Sequence, residues 1–260
     1  GRAITNESDF ASDLDMVVEP QKLDSPDILA IKGLGQFQKF LAASAFRSLI
    51  ENWHVSDFHI QAARGSQDAG YAEHLSASGE NLPLVAQYLY ENHKQQFNEV
   101  LRAMQKRVPG VNKVEAAPTP DGRIVLRFGD GAFKDPFIAR FVSDGTIKMF
   151  AYLLLLYDPK PHPLLCVEEP ENQLYPALLG QLAEEFHAYG RRGGQVFVST
   201  HSPDFLNRVS VNSIYVLTKR RGFTSISRAR DDKNLVALNE AGDLPGDLWR
   251  QHLFAGADPE

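Results

Sequence analysis

The feature that most constrains this chain is an alternation that begins after Phe141. A helical pattern over residues 147–157 gives way to a short apolar run at 164–167. A second helical pattern over 176–189 and a second apolar run at 195–199 follow, and 213–217 reads as one more strand. Short apolar runs separated by helix-length segments predict parallel strands, because a parallel crossover needs a long connection and its helices bury both sheet faces. The helix opening at Pro176 is well specified: proline occupies its first turn, Leu178, Leu182, Phe186 and Tyr189 share a face, and Gly190 follows as a stop. The expected class is α/β, a parallel-strand core flanked by helices.

Upstream the texture differs. Residues 1–33 are polar, broken by Pro20 and Pro26, and read as a loop or strand remnant. Phe37, Phe40, Leu41, Phe46, Leu49 and Ile50 follow near-helical spacing, and two further amphipathic helices meet at a break over Asn92-His93-Lys94. Val108-Pro109-Gly110 ends them, and Asp121-Gly122 before Ile124 to Phe128 predicts a β-hairpin. The organisation expected is therefore 1–33 as an amino-terminal remnant, 34–112 as a helical lid or insert, and 113–260 as a carboxy-terminal lobe.

Composition narrows the function classes. Hydrophobic residues make up 43% of the chain and charged residues 23%, a balance that suits a folded core. The single cysteine, Cys166, excludes an internal disulfide and suits a reducing compartment, so a cytoplasmic location is expected. No apolar run approaches the ~20 residues that span a bilayer, and no membrane role is expected. The net charge of −6 confines any phosphate-tracking surface to local basic clusters such as Arg191-Arg192 and Lys219-Arg220-Arg221, which are ordinarily solvated loops.

Three motifs carry chemistry. The apolar run 164–167 delivers Glu168 and Glu169, followed by Pro170 and Glu171, to a strand's carboxyl end, where open parallel sheets hold their ligands. Successive strand residues point to opposite faces, so one acid can serve a magnesium–phosphate site while its neighbour aligns a water. Alone, the pair reads equally well as a strand cap. The second motif is Ser199-Thr200-His201-Ser202-Pro203, where an imidazole at the tip of the next strand could bond a phosphate. A histidine so placed is more often a satisfied structural residue. The third is Ser143-Asp144-Gly145-Thr146 at a helix start, where backbone N–H groups and the helix dipole favour an anion. By itself it is an ordinary N-cap.

In this order and spacing the three resemble the signature motif, Walker B motif and switch histidine of ABC-class ATPase heads. The likeness is to the RecF/SMC-like AAA-annotated ATPases and the OLD ATPase domain. Glu168-Glu169-Pro170-Glu171-Asn172-Gln173-Leu174-Tyr175-Pro176 matches their Walker B pattern and Thr200 to Pro203 their switch motif. The resemblance implies an ABC-type head with a P-loop NTPase fold and ATP and Mg2+ as cofactors. It further implies that Glu169 polarises the hydrolytic water, Glu168 acts on magnesium directly or through water, and His201 is the switch histidine. Ser143, Asp144, Gly145 and Thr146 match signature positions that contact a nucleotide held by a partner subunit, and Asn172, Gln173, Leu174 and Tyr175 match the D-loop. It also implies a homodimer closed around ATP, with nucleic acid or a second protein as a possible further partner. Relatives are associated with DNA repair and with defence against phages and other mobile DNA.

One part of that pattern is missing. No Gly-x-x-x-x-Gly-Lys-Ser/Thr loop occurs in the 260 residues; neither Gly33-Leu34-Gly35 nor the stretch 65–70 has the lysine or the spacing. The chain opens on Gly1, and the expectation is an incomplete P-loop fold whose Walker A part precedes it, so that the chain alone is inactive. The competing expectation is a catalytically silent ATPase-like module that binds a protein or DNA partner. A Toprim nuclease is not expected, because Asp231-Asp232 and Gly242-Asp243 make no acidic cluster after strands.

Overall fold

The computed structural model describes residues 29–34, 36 and 41–254. The expectation for residues 1–28, and the helical spacing at Phe37 and Phe40, lie outside the described residues. Helices α1 (Ala30–Leu34) and α2 (Leu41–Glu51) lead into strand β1 (Trp53–Ser56), a short helix α3 (Ile60–Ala63) and strand β2 (Gln67–Asp68). Helices α4 (Leu82–Asn92) and α5 (Lys94–Arg107) meet at His93, where the sequence placed its break. Strands β3 (Val111–Pro118) and β4 (Arg123–Asp130) form the predicted hairpin, with β2 and β5 (Phe137–Ile138) paired to β4 as well. Then come α6 (Asp144–Leu156), β6 (Leu164–Glu168), α7 (Pro176–Arg191), β7 (Gln195–Ser199) and α8 (Pro203–Leu206). The hairpin β8 (Tyr215–Arg220) and β9 (Phe223–Arg228) and helices α9 (Lys233–Glu240) and α10 (Pro245–Arg250) close the described chain.

The parallel sheet runs in the order β1-β6-β7. Its register sets Val55 opposite Cys166, Cys166 opposite Phe197 and Glu168 opposite Ser199. Beneath it α6 is buried at every residue from Thr146 to Leu156, which is why residues 147–157 read as apolar on all sides. Leu165 and Val167 of β6 join α4, α5, α6 and α7 in one hydrophobic core. The molecule is mixed α/β, with a parallel-strand core flanked by helices and an antiparallel hairpin sheet beside it. Among the described residues no helix is long and apolar enough to cross a membrane.

Three local expectations need correction. The span 34–112 is not helical throughout, because β1 belongs to the parallel sheet and β2 to the antiparallel one. Strand β1 hid itself by burying His54 and Ser56 while exposing Trp53 and Val55, the inverse of the usual alternation. Burial first, and then the neighbouring His162 and His74 rings, push His54 down to about 4, so it is neutral at pH 7. The segment 213–217 enters β8, which pairs antiparallel with β9 and forms a separate two-stranded sheet. Helix α7 runs past Gly190 to Arg191, and the left-handed residue that ends the turn is Gly193 at φ 98°.

A smaller core of Val211, Ile214, Ala229, Leu235, Leu248 and Phe254 lies under the β8–β9 hairpin. It is joined to the sheet unit through Asn207, whose Oδ1 accepts from the Gly246 amide at 2.7 Å. Asp232, read in sequence as half of an acid pair, is the N-cap of α9 and accepts from the Asn234 and Leu235 amides. Arg192 donates to the Leu156 carbonyl at 2.9 Å and lies over the Tyr157 and Tyr189 rings, so it is a structural cap.

Candidate functional site

The carboxyl tips of β6 and β7 form one polar rim. Glu168 ends β6 opposite Ser199, and the chain then turns at Glu169, whose φ of 38° is left-handed. The Glu169 amide donates to the Ser199 carbonyl at 2.9 Å, which extends the strand pairing by one residue. Its carboxylate meets His201 with Nε2 and Oε1 3.6 Å apart, and Asn172 donates to the other oxygen at 2.9 Å. Side-chain exposures of 43% for Glu169 and 81% for His201 leave both open to a solute. Glu169 and the imidazole therefore meet at neighbouring strand tips, while Glu168 lies opposite Ser199 on the last position of β6.

Two residues to which the sequence alone assigned no role hold this rim together. Glu171 accepts from the Thr200 hydroxyl at 2.8 Å and the His201 amide at 2.7 Å, so it fixes the histidine loop against the acid loop. Lys148, 3% exposed within α6, donates to the Asn172 carbonyl at 2.7 Å. Burial lowers the Lys148 ammonium from its ordinary range, and the charges of Glu171, Asp57 and Glu169 oppose that shift. A lysine inside an otherwise apolar helical run was the one signal in the sequence that could have marked it.

The start of α6 abuts the same loops. Ser143 caps the helix, its Oγ accepting from the Thr146 amide at 3.2 Å and sharing a 2.8 Å hydrogen bond with the Thr146 hydroxyl. Asp144 is ion-paired with Arg64, which also donates to the Val142 carbonyl at 3.3 Å. A Cβ on Gly145 would sit 3.4 Å from the Gln173 carbonyl and 3.9 Å from the Leu174 side chain, so the 172–175 loop packs closely on this turn. In that loop Gln173 is left-handed at φ 62°, Leu174 is buried and Tyr175 is exposed ahead of α7. Arg64 was not foreseen; it comes from α3's carboxyl cap, far away in sequence.

A family model described as "AAA domain, putative AbiEii toxin, Type IV TA system" matches residues 12–207, more than half of the chain. The chain belongs to this AAA family. No curated protein matches it. Among solved structures it is similar to an SMC ATPase studied for ATP-driven dimerisation and DNA-stimulated activation. Identity there is 15%, with 60% of this chain and 96% of that one covered at a TM-score of 0.45. It is similar also to the Smc head with an extended coiled coil bound to the C-terminal domain of ScpA, from Pyrococcus furiosus. That match has 13% identity, covers 82% of this chain and 51% of that one, and scores 0.45. A third is the SmcHead bound to the C-winged helix domain of ScpA, at 17% identity, 56% and 48% coverage and a score of 0.41. The chain spans about half of each of these two Smc chains. The family match, together with the parallel sheet, makes this an AAA-type domain.

The rim of this AAA domain suits magnesium of the kind that nucleotides bring with them. Glu168 and Glu169 are the adjacent carboxylates at this edge that could hold the ion. Magnesium with few protein ligands is the ordinary arrangement where phosphates and waters complete the octahedron.

Proposed function

We propose that this domain hydrolyses ATP at an interface between two copies, with Glu169 as the residue that polarises the attacking water. The supporting observation is the approach of Glu169 and His201 to 3.6 Å across neighbouring parallel strands, with Glu168 on the preceding strand position. Phosphoryl transfer needs positioned charge more than covalent chemistry, and this rim offers a base, a hydrogen-bonding imidazole and a second carboxylate for bound magnesium. Asn172 orients one Glu169 oxygen, which leaves the other facing His201. Ser143 to Thr146, at a helix start, would meet the terminal phosphate of a nucleotide held by the partner copy. Asn172 to Tyr175 would run between the copies. DNA repair or defence against mobile DNA is the setting this reading favours.

Hydrolysis also needs a loop that wraps the inner phosphates, and none is written within the 260 residues. We place that loop on a strand–helix unit seated between β7 and the β8–β9 hairpin. There a groove is lined by Phe197, Ser199, Tyr215 and Leu217, and β7 has an edge free of strand pairing among the described residues. Accordingly the 260-residue chain alone should bind ATP weakly; tight, magnesium-dependent binding by it would contradict this placement.

The central test is Glu169→Gln in a protein that carries the phosphate loop. Turnover should fall by about 10²-fold or more, the usual cost of losing a positioned base, while ATP-bound dimers persist in light scattering. Near wild-type turnover would remove Glu169 from this role. An absence of turnover in the wild type, with partner binding intact, would favour the silent interaction module.

A further inference from the structure

We propose that His74, Asp158 and His162 form a binding site for a divalent cation of the zinc class. The site lies at the end of the parallel sheet opposite Glu169. It rests on residues that the nucleotide chemistry does not use and stands or falls independently of the ATPase reading.

His162 lies just before β6, and its ring stacks on that of His54 near the start of β1, with centroids 4.8 Å apart. His74 comes from the loop ahead of α4, with its ring 5.2 Å from that of His162. Asp158 follows α6 and brings its Oδ2 to 2.6 Å from His74 Nδ1, while its Oδ1 accepts from the Lys160 amide at 2.8 Å. One donor atom from each of His74, Asp158 and His162 lies within 4.8 Å of the other two. Nitrogen and oxygen donors at ~2.0–2.2 Å from a tetrahedral ion stand ~3.3–3.6 Å apart, so a gap as wide as 4.8 Å needs to close by about 1.2–1.5 Å.

The decisive detail is the tautomer of His162. Its Nδ1 faces the Asn52 carbonyl at 3.1 Å. A carbonyl can only accept, so Nδ1 carries the hydrogen and Nε2 carries a lone pair. That Nε2 is buried without a hydrogen-bond partner, and so is Nε2 of His54, a residue only 8% exposed. Leaving a buried polar atom unpaired is costly, and a lone pair on His162 Nε2 close to a second imidazole and a carboxylate is accounted for by a bound cation. A histidine whose far nitrogen is pinned by a backbone carbonyl is the arrangement that prepares an imidazole for a metal. Two imidazoles and one carboxylate suit zinc and its borderline neighbours better than magnesium or calcium. A water can fill the fourth position. The bound ion would tie the 157–163 loop to the loop before α4, and act as a structural staple.

The test uses the 260-residue chain without a histidine tag. Zinc content by mass spectrometry should approach one equivalent, cobalt(II) should give the visible absorption of a tetrahedral site, and zinc should raise Tm. His74→Ala should weaken zinc binding by at least the 10–100-fold seen when a metal site loses a supporting group and abolish the Tm rise. Its side chain is 38% exposed, so the fold should survive its loss. Asp158→Asn serves as a second variant, with circular dichroism as the check on folding, and His187→Ala, on an exposed histidine outside the cluster, should behave as wild type. Substoichiometric zinc with no Tm response in the wild type would overturn the proposal. So would equal responses in wild type, His74→Ala and Asp158→Asn, which would mean adventitious binding.

Discussion

Glu169 adopts φ 38°, a region that costs a non-glycine residue about 1–3 kcal/mol, and such strain collects where geometry serves chemistry. The approach of Glu169 to His201 was legible because strand spacing brings neighbouring tips together. Glu171, Lys148 and Arg64 were not, since their partners are 24 to 80 positions away and no local pattern announces them. The same holds for Arg107 and Glu185, which pair between α5 and α7 with side chains 9% and 6% exposed. In sequence each reads as a solvated charge on an amphipathic helix. Removing one partner strands the other in the core, so Glu185→Ala should cost about 3–5 kcal/mol in urea unfolding. The double variant Arg107→Met with Glu185→Leu should recover most of that loss, because two desolvated charges are replaced by packed carbons.

At the level of elements, helices and strands with one clear period were readable, and those with mixed demands were not. Helix α6 and strands β6 and β7 follow from continuous apolar runs. Strand β1 was missed because its inward residues, His54 and Ser56, are polar. The β8–β9 pairing was missed because every residue of β9 is exposed and no buried face enforces a period. Contacts between elements are sharper still. Gly246 of α10 lies so close to α8 that a Cβ there would overlap the Pro203 carbonyl, which is backbone and has little room to retreat. Gly246→Ala should lower stability by about 1–3 kcal/mol or more. It should also raise amide exchange in 203–207 and 245–250 before the parallel sheet is affected. Uniform exchange across the chain would contradict this division.

For the whole molecule, the parallel sheet is covered on one face only among the described residues. Trp53, Val55 and Phe197, exposed at 46%, 49% and 57%, project from the other. Parallel sheets are normally buried on both faces, and an apolar patch of this kind marks a contact surface. Val55→Thr with Phe197→Thr should reduce binding of a hydrophobic dye while changing stability by no more than about 0.5 kcal/mol, the usual range for exposed sites. A large loss of stability would mean that this face is already packed within the chain. In a protein that carries the phosphate loop, ATP with Glu169→Gln should shift the light-scattering mass from one copy to two, and removing magnesium should reverse it.

By itself the sequence determined the α/β class, the order of the carboxy-terminal elements and the approach of Glu169 to His201. Each of these is written in short-range periodicity and in motifs confined to one strand tip. Only the tertiary structure decided that β1 completes the sheet, that Lys148 and Glu171 bind the rim together, and that His54, His74, Asp158 and His162 gather at the far end. Those outcomes depend on which distant side chains share a desolvated space, and that information resides in packing between elements rather than within any one of them.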